Sequence, residues 1–317
     1  MFTLIPKSIV RRAAAAITAI LIGTALLAQP AAARDQSGHL TFDGKDRTYA
    51  VHVPDGPPPP GGFAVILAFH GGGMQGAAMR KLTHFDQVAD TRRFIVVYPD
   101  GLDKHWNDGR LTIRNPQDDV GFVSALIDRL ESDYPVSRGR VYATGISNGA
   151  LFAERLGCDL AGRIAAIAPV AGTLPADLAP RCRPAAPVAV MQIDGTADPI
   201  MPFGGGKVAD FGGRGEGGVV LSVAATTDFW AGQDHCAVRG VAEPLPPIAP
   251  FDRTRIVATR ATDCANSARV TLLTVFGGGH AWPGGMQYAP RLFIGSTSRQ
   301  MDASQVIADF FLSQPVH

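Results

Sequence analysis

Arg140-Val141-Tyr142-Ala143-Thr144-Gly145-Ile146-Ser147-Asn148-Gly149-Ala150 is the stretch that decides the fold. Residues 141–144 form a short apolar run that reads as a buried strand, and helical spacing begins at Gly149. Between the two stands the pentapeptide Gly145-Ile146-Ser147-Asn148-Gly149, a G-x-S-x-G pattern in a strand-to-helix turn. A serine in so sharp a turn sits in a strained backbone conformation that lifts its hydroxyl into the open. The flanking glycines are needed there because side chains would collide with neighbouring backbone. Ser147 is therefore the candidate nucleophile.

Working outward, apolar runs rich in β-branched residues recur at 49–53, 64–69, 94–98, 164–169, 188–193 and 270–276. Stretches with helical spacing lie at 119–130, 149–156, 223–230 and 304–311. Strand and helix alternate, so the expected class is α/β, with a mostly parallel central sheet and helices on both faces. Residues 41–53, turning at Asp43-Gly44, read as an antiparallel hairpin that opens the sheet. Residues 54–62, rich in Pro, and 203–218, rich in Gly, read as loops too short to divide the chain.

A serine hydroxyl is a poor nucleophile near neutral pH and needs a base, which in turn needs an acid to orient it. In this fold class the order along the chain is Ser, acid, His. His280 directly follows a strand, in Gly277-Gly278-Gly279-His280-Ala281-Trp282, and its glycines let the loop bend back toward Ser147. His235 adjoins Cys236 at a helix end and His317 is terminal, so His280 is the expected base. The acid should leave the strand at 188–193, where Asp194 and Asp198 compete in Asp194-Gly195-Thr196-Ala197-Asp198-Pro199. Asp194 is placed to cap the turn, whereas Asp198 lies far enough out to reach behind the imidazole. Asp198 is the expected acid.

Acyl transfer also needs donors for an oxyanion. His70-Gly71-Gly72-Gly73 follows the strand at 64–69, where an HGGG-type loop brings bare backbone amides to a substrate. Gly72 and Asn148 are the candidate donors, and His70 reads as the residue that holds the loop. Trp106 and Trp282, the aromatics nearest these loops, are the candidate substrate-binding residues. Asp118-Asp119 opens the helix at 119–130 and reads as a cap. This chemistry calls for no metal and no cofactor.

Of the 317 residues 46% are hydrophobic and 18% charged, enough to build a full core and too apolar for a disordered chain. Lys7, Arg11 and Arg12 precede an apolar run at 13–28, and Ala31-Ala32-Ala33 offers a small-residue cleavage site. Residues 1–33 therefore read as a signal peptide and 34–317 as a single catalytic domain, secreted to the periplasm or the exterior with no membrane association after cleavage. Cleavage turns a formal +1 into −2, 26 basic residues against 28 acidic, which argues against a nucleic-acid partner. The cysteines Cys158, Cys182, Cys236 and Cys264 are even in number in an exported chain, which favours disulfides, and three pairings are open.

Taken together, the motifs make the chain similar to the esterase family that includes poly(3-hydroxybutyrate) depolymerases and feruloyl esterases, grouped as carbohydrate esterase family 1. The resemblance is carried by Leu67-Ala68-Phe69-His70-Gly71-Gly72-Gly73, Tyr98-Pro99-Asp100-Gly101, Trp106-Asn107, Asp118-Asp119-Val120-Gly121-Phe122, the Arg140 to Ala150 stretch, and Gly279-His280-Ala281-Trp282-Pro283-Gly284-Gly285. It spans nearly all of the chain after residue 33. It implies an α/β-hydrolase fold, a triad at Ser147, Asp198 and His280, and the neighbour disulfides Cys158–Cys182 and Cys236–Cys264. One departure is Asp194, where the family commonly has His. The resemblance implies a serine carboxylic-ester hydrolase acting through an acyl-enzyme on hydroxyalkanoate oligomers or similar esters. Feruloyl esters of plant polysaccharides are the alternative substrate, and acyl transfer to a sugar is a further alternative reaction.

Overall fold

The computed structural model describes residues 1–2, 34–210 and 215–315. The expected signal peptide, beyond Met1 and Phe2, lies outside the described residues. Every described strand and helix lies within Ala31–His317.

The strands are β1 Arg34–Phe42, β2 Lys45–Val53, β3 Phe63–Phe69, β4 Phe94–Pro99, β5 Val136–Ile146, β6 Ala166–Val170, β7 Ala189–Gly195, β8 Gly206–Lys207, β9 Val219–Val220, β10 Val238–Arg239, β11 Glu243–Pro244, β12 Arg255–Thr262 and β13 Val270–Phe276. The helices are α1 Gly76–Thr83, α2 Phe85–Arg92, α3 Asp119–Asp133, α4 Asn148–Asp159, α5 Val223–Gln233, α6 Arg291–Ile294 and α7 Ala303–Leu312. The main sheet runs β1-β2-β4-β3-β5-β6-β7-β13-β12-β10, with β11 also paired to β12. Its centre, from β4 through β13, is parallel, and both ends are antiparallel.

The parallel centre follows from side chains that are apolar on both faces. Along β3, Val65, Leu67 and Phe69 enter one buried cluster while Ala64, Ile66 and Ala68 enter the other. Successive residues of a strand point to opposite faces, so a strand without a polar side must be covered twice. Trp230 of α5 packs in the first cluster and Ile307 and Phe311 of α7 in the second. The expected hairpin is present as β1 and β2, joined at Asp43-Gly44, where both residues have positive φ. The sequence signal is weakest at β12. There Arg255 and Arg260 interrupt the apolar run and burial alternates, as it does on a strand with one solvated face.

Disulfides join Cys158 to Cys182 and Cys236 to Cys264, the neighbour pairing. The first ties the end of α4 to the segment entering β7 across a separation of 24 residues. Loop closure of this length restricts the unfolded chain enough to contribute about 3 kcal/mol. Replacing Cys158 and Cys182 together by Ala should therefore lower the unfolding free energy by roughly that amount. Urea unfolding followed by circular dichroism measures it, and an unchanged midpoint and slope would show that the bridge adds nothing.

Candidate active site

β5 ends at Ile146 and α4 begins at Asn148, leaving Ser147 alone in the turn with φ 58° and ψ −124°. A positive φ on a residue with a side chain is strained, and the surroundings must enforce it. They do so by close packing. A Cβ on Gly145 would meet the Gly149 backbone at 2.5 Å, and one on Gly149 would meet the Phe69 carbonyl at 2.4 Å. The Ser147 amide donates to the Val170 carbonyl at 3.1 Å, which holds the turn against β6. Ser147 faces a cavity of about 570 Å³.

His280 lines the same cavity, although it is only 3% exposed. Its loop leaves β13 and is fixed by two bonds: the His280 amide donates to the Ile294 carbonyl at 2.6 Å, and the Tyr288 hydroxyl donates to the His280 carbonyl at 2.9 Å. The imidazole Nδ1 lies 2.7 Å from Asp198 Oδ2. A carboxylate accepts only, so Nδ1 carries the proton and Nε2 is left with a lone pair. The other carboxylate oxygen of Asp198 accepts the amides of Ile200 at 2.7 Å and Met201 at 2.8 Å, which fixes the carboxylate plane. Among the described residues no hydrogen bond joins Ser147 Oγ to His280 Nε2, so both atoms are available to the cavity. Such bonds are often formed only with substrate in place.

The structure separates the two competing aspartates. Asp194 lies on β7, fully buried, accepting the Gly172 amide at 3.0 Å and Gln192 Nε2 at 2.6 Å. Burial pushes its carboxyl up to about 7. It does not touch His280. The amides of Gly72 and Asn148 both border the cavity, and among the described residues neither donates a hydrogen bond. His70 ties the loop down: its Nδ1 lies 2.9 Å from the Gly71 carbonyl, and its Nε2 accepts the Gly101 amide at 2.9 Å. Burial lowers this imidazole to about 4, so it stays neutral in that role.

Trp106 and Trp282 are corrected from cavity aromatics to core residues, since both are 0% exposed. Trp106 stacks on Phe152 at 5.1 Å and donates from Nε1 to the His70 carbonyl. Trp282 packs edge-on against Phe85 and donates to Ser304 Oγ. Large aromatic rings near loops are as useful for anchoring those loops as for binding, and here both anchor. The walls come instead from residues the sequence does not single out. Ile200, Met201, Val208 and Ala289 form an apolar side, with Tyr288 beside them, while His105, Arg110 and Glu216 form a polar side. Asp118 caps α3 by accepting the Gly121 amide, as expected, but Asp119 does more. It accepts Arg47 Nη2 and the Asn107 amide, each at 2.7 Å, deep in the core. One group spaced for a metal, Asp35, His52 and Asp86, exists among the described residues; Arg80 already pairs with both carboxylates, and none of the three lines the cavity.

A parallel sheet with a strained serine at the head of α4, and an Asp–His pair facing the same cavity, defines a hydrolase of the α/β-hydrolase fold. A protein of Nocardia uniformis subsp. tsuyamanensis named as esterase NocK is 32% identical over 281 residues, covering 85% of this chain and 80% of the relative. The chain belongs to the esterase family of this relative and is a carboxylic-ester hydrolase. Feruloyl esterase B of Piromyces equi is 30% identical over 195 residues, covering 59% of this chain and 34% of that longer protein. Among solved structures, the acetyl xylan esterase of Aspergillus awamori superposes with a TM-score of 0.54 over 78% of this chain and 94% of that one. Its identity is 13%, so the likeness is one of fold. No protein-family model matches the chain.

Proposed function

We propose that the chain cleaves esters through an acyl-enzyme in which Ser147 is the nucleophile, His280 the general base and Asp198 the group that orients the imidazole. The observation that carries this reading is the 2.7 Å bond from His280 Nδ1 to Asp198, which leaves Nε2 free on the cavity that Ser147 faces. His280 takes the Ser147 proton as Oγ attacks the ester carbonyl, the Gly72 and Asn148 amides receive the oxyanion, and the alcohol leaves with the proton from Nε2. Water then repeats the sequence in reverse and releases the acid. That Ser147, His280, Gly72 and Asn148 all line one cavity supports this reading.

For the acyl half, relatives named feruloyl esterase support a hydroxycinnamoyl ester. The aliphatic wall of Ile200, Met201 and Val208 favours the second reading, a hydroxyalkanoate oligomer. Export is part of the proposal. It rests on the leader-like residues 1–33 and the two disulfides, and no helix among the described residues is long and apolar enough to cross a membrane. A fluorophosphonate probe should label the peptide carrying Ser147, and Ser147→Ala should take no label; label on another residue overturns the assignment. Comparing turnover of methyl ferulate with that of a 3-hydroxybutyrate dimer separates the two substrates, and turnover of neither rejects both.

A further inference from the structure

Asp108 and Arg110 sit beside the site with no part in the triad, yet Asp108 is 0% exposed and Arg110 5%. Asp108 is gripped by Arg110 through Nε at 3.0 and 3.1 Å and Nη2 at 2.7 Å, and also by the Arg110 amide. Such a buried charge pair is costly unless its remaining capacity is used. Here Asp108 Oδ2 accepts Asn148 Nδ2 at 2.7 Å. The Asn148 carboxamide then clasps the backbone of Trp106 in both directions, with Oδ1 accepting the Trp106 amide at 2.8 Å and Nδ2 donating to the Trp106 carbonyl at 2.9 Å.

Asp108 reinforces the orientation that the Trp106 backbone gives that carboxamide. A carboxylate only accepts, so it demands the NH2 side; a flipped amide would set Oδ1 against both Asp108 and the Trp106 carbonyl. The same Trp106 donates from its indole to the His70 carbonyl at 3.1 Å, at the head of the loop bearing Gly72. Arg110 Nη1 donates in turn to the Gly217 carbonyl, next to Glu216 of the cavity wall. The chain of bonds from Arg110 through Asp108, Asn148 and Trp106 to His70 therefore joins the two segments whose amides face the substrate.

We propose that Asp108 and Arg110 are positioning residues for the oxyanion site, acting through the Asn148 side chain to hold the Asn148 amide in register with that of Gly72. This rests on the acyl-enzyme reading above. Donors stabilise an oxyanion only when aimed at where the charge develops, so a small loss of aim lowers turnover more than binding.

The test is a double-mutant cycle with p-nitrophenyl butyrate, using D108A, N148A and the pair together, with near-ultraviolet circular dichroism confirming the fold. D108A should lower kcat about 30-fold with KM within about threefold, and N148A should do much the same. Because both act on one contact, the double variant should fall no further than about twofold below the worse single variant. Should D108A fail to fold, the isosteric D108N carries the same test with a loss of about tenfold. Unchanged kcat, a loss confined to KM, or losses that multiply in the pair would overturn the proposal. S147A separates this from the underlying reading: a dead S147A with a multiplying cycle rejects only the positioning role, whereas an active S147A rejects the acyl-enzyme itself.

Discussion

Asp198→Asn is expected to lower kcat by about 10⁴-fold while Asp194→Asn stays within a few-fold of the parent enzyme. Asp198 Oδ1 is bound by two backbone amides, from Ile200 and Met201, which only an oxygen can accept. In the substituted side chain that oxygen must keep its place, so the NH2 group falls where Oδ2 stood and donates to His280 Nδ1. The imidazole proton is forced to Nε2, and the lone pair that would accept the serine proton is gone. The fold is untouched because the shape is unchanged, so the loss belongs to chemistry. At Asp194 the opposite holds. Burial already favours the neutral carboxyl there, and its contacts are to Gly172 and Gln192 rather than to His280. Steady-state kinetics of both variants on p-nitrophenyl butyrate decide the matter, and a collapse of activity in the Asp194 variant alone would move the acid to that position.

That contrast also marks what the sequence can and cannot reveal. The G-x-S-x-G turn, the glycine loop after β3 and the order Ser, Asp, His are local signals: each depends on a strand end, and strand ends can be read from short apolar runs. Asp194 and Asp198 differ in the same local way, since Asp194 directly follows the apolar run at 188–193 whereas Asp198 lies further along the loop. Trp106 and Trp282 defeat the sequence reading because proximity to a loop says nothing about side-chain direction. Trp106 turns inward to Phe69 and Phe152, and its indole nitrogen finds the His70 carbonyl. Arg110 and Glu216 escape it because they meet the cavity across more than a hundred residues of chain, and neither lies in a recognisable pattern. What brings Arg110 there is the Gly217 carbonyl and the tight approach of Gly218, whose added Cβ would strike Arg110 Cδ at 2.8 Å. Such contacts are set by tertiary packing and leave no periodic trace.

Stability should fall as pH rises from about 5 to about 8, and Glu154→Gln should flatten that fall. Glu154 lies on α4, below the turn that carries Ser147, and is fully buried with Trp230 Nε1 donating to Oε2 at 2.5 Å. Burial pushes its carboxyl up to about 8, with the nearby charge of Asp194 adding to the rise. Burial likewise brings Asp194 and Asp234 up to about 7. In the unfolded chain these groups release their protons near 4, so between about pH 5 and about pH 7 the folded protein holds protons that the unfolded one has lost. Their contribution is whole below the unfolded values and disappears as pH climbs through the folded ones. Each group changes stability by about 1.4 kcal/mol per pH unit within its window, so the combined effect is on the order of several kcal/mol. For a domain of this size that corresponds to a melting temperature lower by roughly 10 °C at about pH 8 than at about pH 5.5. Gln at 154 keeps an oxygen for the Trp230 indole and removes the ionisation. The variant should match the parent near pH 4, where Glu154 is protonated in both states, and exceed it by a growing margin towards pH 8, as read by thermal melts across that range. Parallel melting profiles for the two proteins would show that the proton at Glu154 carries no part of the dependence.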